Sequence, residues 1–410
     1  MKRIIIFLLP LLLISCNNLG STRVKNLIDL TTPLEVEVSS PVILSATGKN
    51  HDLNEKTEFY KLGGGNLIAS PVIAKKIIYC LDENGSVQAF SLQDKKIIWS
   101  TNIVGNSNNR LNIGGISYSD DKLFVTNGTR NLIILDATSG IEIMRKEFPD
   151  ILRTKPAMAT DRLLIVQTIS NQLFAYDIVS SEFAWMFEGG LETISVRNNI
   201  SPIIYNNNVL IADSSGEVIY LDAKTGQIKW SIDLTDLSEA GIPNYDLTTI
   251  NTQPVIDDHY VYFATGNSKI MKIDLNTGYS LWQTKAEDVQ SMSLCGDNLF
   301  ITTNARQIAA LSSTNGKIKW VGNLISAAER NTKKPRPVLF QAPFVSKNED
   351  NKLVLSVIGS NGELYQFEGS PSGELPIQPH IRSIDKNIFY YWICCCDGHL
   401  YTVNNKGVRF

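Results

Sequence analysis

Side chains capable of chemistry are few in this chain, and their spacing gathers none of them into a familiar site. The four histidines, His51, His259, His380 and His399, stand apart, with no His-x-His or His-Glu-x-x-His pair to hold a metal. Cysteine occurs at 16, 80, 295, 394, 395 and 396, with no Cys-x-x-Cys spacing. Cys394, Cys395 and Cys396 lack matching histidines or cysteines and make a poor tetrahedral zinc set. Along a strand, Cys394 and Cys396 face one way and Cys395 the other. A bridge between sequence neighbours needs a strained turn, so free thiols are expected there. Cys80 and Cys295 lie in apolar, strand-like runs and read as buried thiols. No Gly-x-Ser-x-Gly elbow and no Walker loop occurs. Gly63-Gly64-Gly65 precedes a strand rather than a helix, so it is a linker and not a phosphate cradle. Most Asp and Glu fall at turn positions. The expectation is a protein with no catalytic residues, no metal and no cofactor.

Cys16 is the exception. Lys2 and Arg3 precede an apolar run from Ile4 to Ile14 that is broken by Pro10 and ends in Leu13-Ile14-Ser15-Cys16. The run is too short to span a bilayer and suits a secretory h-region. Its end resembles a bacterial lipobox, in which cleavage before the cysteine leaves it free for lipidation, palmitate included. Residues 1–15 are then a signal peptide, and 16–55 are the lipidated cysteine with a polar tether and lead-in. Acyl chains on Cys16 would anchor the protein without a helix. Asn17, where Asp would hold a lipoprotein at the inner membrane, favours the outer membrane.

The elements that must carry everything else are repeats. Glu217-Val218-Ile219-Tyr220-Leu221-Asp222 is followed by Gly226 and then Trp230. Registered on Asp222, the equivalent positions are Ser91, Asp136, Asp177, Asp274, Ser312 and Glu368. Eight residues on stand Trp99, Met144, Trp185, Trp230, Trp282, Trp320 and Pro376. Gly140, Gly226, Gly278 and Gly316 mark the turn between. Five of the six tryptophans share this one position. Repeats start near Pro71, Ile116, Pro156, Pro202, Pro254, Ser291, Pro343 and His380, about 44 residues apart, with four short alternating runs in each. Asn84-Gly85, Ser215-Gly216, Asn361-Gly362 and Asp397-Gly398 separate the second and third runs.

This pattern predicts an all-β fold over 56–410: an eight-bladed β-propeller of four-stranded antiparallel blades. The last repeat stops too early for a fourth strand, and Thr57–Leu62 looks like a fourth strand without a repeat. The N-terminal strand is therefore expected to complete the last blade and close the ring. The tryptophans are expected to be core residues between blades. The Asp-x-x-x-Gly-x-x-x-Trp element resembles the PQQ-like, quinoprotein-type repeat, and no Trp-Asp dipeptide supports a WD repeat.

Composition narrows the function. Hydrophobic residues make up 43% and charged residues 19%, a globular balance that excludes wholesale disorder. The net charge is −3 and there is no long basic run, which argues against nucleic acid as a partner. No apolar stretch is long enough for a polytopic membrane protein. What remains is a scaffold, and its elaborated loops are 187–201, 233–253 and 321–342. All three join an outer strand to the next inner strand, so they share one face.

Lipobox and repeats together are similar to the BamB family, lipoprotein subunits of the outer-membrane β-barrel assembly machinery, over almost the whole chain. The loop Thr193-Ile194-Ser195-Val196-Arg197-Asn198-Asn199-Ile200-Ser201-Pro202 resembles the family stretch Leu-Ser-Leu-Arg-Gly-x-Ser-Ala-Pro, which contacts BamA. The resemblance implies apolar contacts at Ile194 and Val196 and a basic one at Arg197. The loop from Asp246 to Pro254 resembles Leu-Ser-Asp-Val-Asp-Thr-Thr-Pro, and the two family Asp fall on Thr249 and Asn251, so their acidic contact is lost or weakened. The implied role is a non-catalytic scaffold on the periplasmic face of the outer membrane. Its partners would be the periplasmic domain of a BamA-like barrel and other assembly lipoproteins.

Read on its own, an exposed apolar pair beside an arginine suits a partner contact, or else Ile194 and Val196 begin an inner strand. Arg330, Lys333, Lys334 and Arg336 in 329–337 form either a solvated loop or a contact for an acidic partner or lipid head groups. Two other functions stay open: an adaptor of another envelope complex, and a quinone- and calcium-dependent dehydrogenase. The chain is short for the latter and lacks a matching carboxylate and Asn cluster.

Overall fold

The computed structural model describes residues 65–105, 111, 113–189, 200–212, 216–233, 250, 252–265, 269–324, 338–347 and 353–368, together with the strand pairing of 43–45, 59–60, 380–383, 392–396, 399–404 and 407–409. Among these residues the fold is all-β, without a helix. The strands pair into seven four-stranded antiparallel sheets and one of five strands, each built mainly from consecutive strands. The first sheet is Val72–Ala74, Ile77–Leu81, Ser86–Ser91 and Lys96–Asn102. The second to seventh follow in chain order, with outer strands Glu142–Glu147, Glu182–Glu188, Ile228–Asp233, Ser280–Lys285, Ile318–Asn323 and His380–Ser383.

Why the middle strands read as continuous apolar runs is a matter of stacking. Leu163–Gln167 is buried at every residue, and Asn131–Asp136 at its four central ones. Both faces of these strands are covered by neighbouring sheets. Leu81, Val87 and Ala89 of the first sheet pack with Ile116, Val125 and Ile133 of the second. Phe124 and Ile134 of the second pack with Leu164, Val166 and Phe174 of the third. Further clusters join each sheet to the next as far as the seventh. Outer strands splay away from their neighbours and alternate instead, as in the exposed–half-buried pattern of Glu182–Glu188.

The repeat signature marks the joints between sheets. The side chain of Asp222 accepts the N–H groups of Lys224 and Thr225 at 3.0 and 2.9 Å, closing the turn into the outer strand. Gly226 follows with φ 71°. The indole of Trp185, from the preceding sheet, lies so close that a Cβ on Gly226 would stand 2.8 Å from it. The Trp185 Nε1–H donates to Ala223 O at 3.0 Å. Trp99, Trp230 and Trp282 make the same bond to Ala137, Leu275 and Ser313, over Gly140, Gly278 and Gly316.

Three expectations need correction. Trp230 and Trp282 are core, but Trp99, Trp185 and Trp320 are only half-buried, because the indole sits at the outer rim of the joint. Pro376 does not occupy the tryptophan position of the seventh repeat, and His380 does not begin an eighth. His380–Ser383 is the outer strand of the seventh sheet, and His380 pairs with Gln366 as Trp230 pairs with Tyr220. Eleven residues, 369–379, separate Glu368 from His380 where five separate Asp222 from Ile228, and this displaced the eight-residue count. Finally, the sixth sheet is not four-stranded: Ile43–Ser45, from the lead-in, adds to its outer strand in parallel.

In the last sheet Phe59–Tyr60 pairs antiparallel with Gly407–Arg409, outside His399–Asn404 and Trp392–Cys396. Cys394, Cys395 and Cys396 pair in sequence with Tyr401, Leu400 and His399 along a regular strand. Cys80 is buried and Cys295 half-buried, and neither is in a disulfide.

Candidate partner-binding face

Four antiparallel strands in chain order send the turn between the second and third strands, and the connection from the outer strand to the next sheet, out at the same end. That end is stapled by backbone bonds. The residue just past an outer strand donates its N–H to the carbonyl of its own sheet's second turn: Ile103 to Gly85 at 2.9 Å, Phe148 to Arg130 at 2.7 Å, Gly189 to Asn171 at 3.2 Å and Leu324 to Arg306 at 2.7 Å. At the far end of the connection an apolar residue returns to the core. Leu152, Ile250 and Phe340 each form a lone bridge, to Thr168, Thr265 and Gly359.

Ile194, Val196 and Arg197, with Thr249 and Asn251, lie outside the described residues, as do Cys16 and the basic stretch 329–337. Their immediate neighbours are described and well held. Ile200 and Ile250 are buried in one apolar cluster with Leu210, Phe263 and Met271. A side-chain clasp then ties the two loop ends together. Gln253 Oε1 accepts the Ser201 N–H at 3.1 Å, and Gln253 Nε2 donates to Ser201 O at 3.1 Å. The amide thus reads Ser201 as a strand partner would, from the adjacent sheet. Gln290 does the same for the third loop, donating to Val338 O at 3.1 Å and accepting the Phe340 N–H at 2.6 Å.

Sequence reasoning missed Ser201, Gln253 and Gln290 as organisers of this face. The available signal was a glutamine just before, or opening, an inner strand in two neighbouring repeats. Electrostatics at this end are satisfied in part by local partners. Burial alone would raise the Asp150 carboxyl, but the Ser170 hydroxyl and the N–H groups of Ile151 and Ser170 hold it below its usual range. Arg153 is buried and donates to Asn171 Oδ1 at 3.2 Å. Among the described residues no group of three or more His, Cys, Asp or Glu converges. What this end can do is hold the ends of loops from adjoining sheets in fixed mutual register.

The model of the family described as outer membrane protein assembly factor BamB matches residues 83–321. The chain belongs to the BamB family. A full-length relative is an uncharacterized protein of Rickettsia prowazekii, 42% identical over 413 residues, covering 100% of this chain and 99% of the relative. BamB of Yersinia pestis is 21% identical over 250 residues, 59% of this chain and 63% of that protein. The crystal structure of BamB from Moraxella catarrhalis superposes with a TM-score of 0.67 at 18% identity, over 86% of this chain and 98% of that one. The likeness to that BamB structure extends to the fold: a β-propeller of PQQ-like repeats.

Proposed function

We propose that this BamB-family chain is an eight-bladed propeller, closed by pairing of Phe59–Tyr60 with Gly407–Arg409, that serves as a non-catalytic scaffold in outer-membrane β-barrel assembly. Residues 1–15 are its signal peptide, Cys16 carries the lipid that holds it at the periplasmic face of the outer membrane, and 56–410 form the propeller. Its partner is the periplasmic domain of a BamA-like barrel protein. The contact is made by Ile194, Val196 and Arg197, with Thr249 and Asn251 beside them.

The observation that carries this reading is the Ser201–Gln253 clasp. It brings the ends of the two loops that resemble the family's contact stretches to one place, on adjoining sheets. Thr249 and Asn251 stand where the family has Asp, so the weight of the contact falls on the apolar pair and Arg197. The test is co-purification from detergent-solubilised envelopes. The full chain should bring down a BamA-like barrel, and the double variant Ile194→Asp/Arg197→Glu should lose it while keeping the wild-type melting curve. Recovery of the barrel with the double variant would sink the assignment.

A further inference from the structure

Two outer strands share a pattern that the strands between them lack. The first sheet has Lys96-Ile97-Ile98-Trp99-Ser100-Thr101-Asn102, and the sixth has Lys317-Ile318-Lys319-Trp320-Val321-Gly322-Asn323. At the place of Asn102 and Asn323, the second to fifth sheets carry exposed charges: Glu147, Glu188, Asp233 and Lys285. That place faces outward. Ile103 and Leu324, the next residues, donate inward to Gly85 O and Arg306 O, at 2.9 and 2.7 Å. Bonding alternates along an antiparallel pair, so Ser100 and Asn102, like Val321 and Asn323, turn their N–H and C=O groups to the open edge. A charge at that point discourages the approach of another strand.

The sixth edge shows what an uncharged edge accepts. Ile43 and Ser45 pair in parallel with those same outward residues, Val321 and Asn323. No residue of Ile318–Asn323 is exposed. The first edge, equally uncharged from Ser100 to Asn102, stands open. Ser100 and Asn102 are exposed, and Ile98 beside them is 45% exposed. Side chains leave this edge clear. The Thr101 hydroxyl donates to Gly140 O of the second sheet at 2.7 Å. The Asn102 amide is held against its own sheet, donating to Asn84 O at 3.3 Å and accepting the Val104 N–H at 3.0 Å.

We propose that Ser100–Asn102 is a docking edge for an extended segment of another protein, which adds in parallel to the first sheet. Among the described residues the chain supplies one strand for these two edges, and the sixth holds it. A second fitting edge without a strand of its own is open to a foreign one. The chemistry of the occupant follows from the edge. Its residues opposite Ser100 and Asn102 are uncharged, as Ile43 and Ser45 are on the sixth edge. It is apolar where it passes Ile98. Lys96, exposed at the start of the strand, favours an acidic residue further toward the N-terminus of the occupant. This edge is independent of the assembly reading and of the loops assigned to it.

The probe is a capped peptide of residues 40–48, which contains the strand that the sixth edge accepts. Hydrogen exchange of the full chain is followed with and without about 1 mM peptide. Amides of Ser100–Asn102 should exchange about fivefold more slowly with the peptide, and those of Glu142–Glu147 and Ser280–Lys285 should not change. Asn102→Glu, which places on this edge the charge that the second and third sheets carry, should abolish the protection without unfolding the chain. A peptide bearing Ile43→Glu and Ser45→Glu should give none. Absence of protection at Ser100–Asn102, or equal protection of Glu142–Glu147, overturns the proposal. Protection of Ser100–Asn102 in the peptide-free chain that fades on dilution assigns the edge to a second copy and overturns the foreign occupant.

Discussion

The indole of Trp282 rests on Gly316, a residue of the next sheet: a Cβ on that glycine would stand 2.5 Å from Cε3 of the ring. The Trp282 Nε1–H donates to Ser313 O at 3.1 Å, and the Thr284 hydroxyl to Gly316 O at 2.7 Å. Glycine is required twice here, for the φ of 75° and for the space. Gly316→Ala should therefore cost about 2–3 kcal/mol, from the left-handed backbone and the displaced ring. Urea unfolding followed by tryptophan fluorescence measures it. A loss below about 0.5 kcal/mol would mean that the joint relaxes freely.

The joint between the second and third sheets lacks both partners. Met144 stands at the tryptophan position and Ser181, with φ 61°, at the glycine position. Tyr176 donates its hydroxyl proton to Met144 Sδ at 3.3 Å, and Lys146 Nζ donates to Ser181 O at 3.3 Å. Relief of a left-handed serine, less the entropy of glycine, should let Ser181→Gly add about 0.5 kcal/mol. Met144→Trp alone should lose about 1–2 kcal/mol against the serine Cβ. The double variant should recover it, with a coupling of about 1 kcal/mol in a double-mutant cycle. Additive effects would show that the two positions are independent.

Gln253 is exposed, yet both of its amide groups are engaged by Ser201. Gln253→Ala should cost the fold no more than about 1 kcal/mol, the worth of two solvent-accessible hydrogen bonds. Its effect on partner binding should be larger, because the loops lose their mutual register before docking. About a tenfold rise in Kd for a BamA-like periplasmic domain is expected by biolayer interferometry. Unchanged affinity would place the contact elsewhere on the ring.

Asp297 caps the turn into the sixth outer strand from the neighbouring hairpin. Burial raises its carboxyl, but the Thr314 and Ser313 hydroxyls and the Lys319 ammonium outweigh it and hold the group down at about 2. The folded value lies below the unfolded one, so the stabilisation is complete above about pH 4. It is lost as pH falls toward 2. The carboxylate is half-exposed, at 54%, and solvent screening leaves about 1 kcal/mol. Asp297→Asn should lower stability by that amount at pH 7 and by little at pH 2. Parallel stability–pH curves for the two proteins would contradict it.

The all-β class, the repeats and the turn chemistry were legible in the sequence because they are local. An aspartate closes its own turn within three residues, a glycine takes up a positive φ alone, and buried middle strands must be largely apolar. Even the pairing of Phe59–Tyr60 with the chain's end followed from a missing fourth strand. Tertiary structure decided the partners. The Asp, Gly and Trp of one repeat look like a single local motif, yet the indoles of Trp99, Trp185, Trp230 and Trp282 each pack on the glycine of the following repeat. Spacing within a repeat cannot tell that arrangement from its alternatives, and only the stacking of sheets selects it. His380 was misplaced for the same reason: where the turn lengthens, counting fails and hydrogen-bond register rules. The Ser201–Gln253 clasp and the parallel strand at Ile43–Ser45 carry no periodic signal. Each depends on two distant segments arriving at one edge, which the assembled sheets alone bring about.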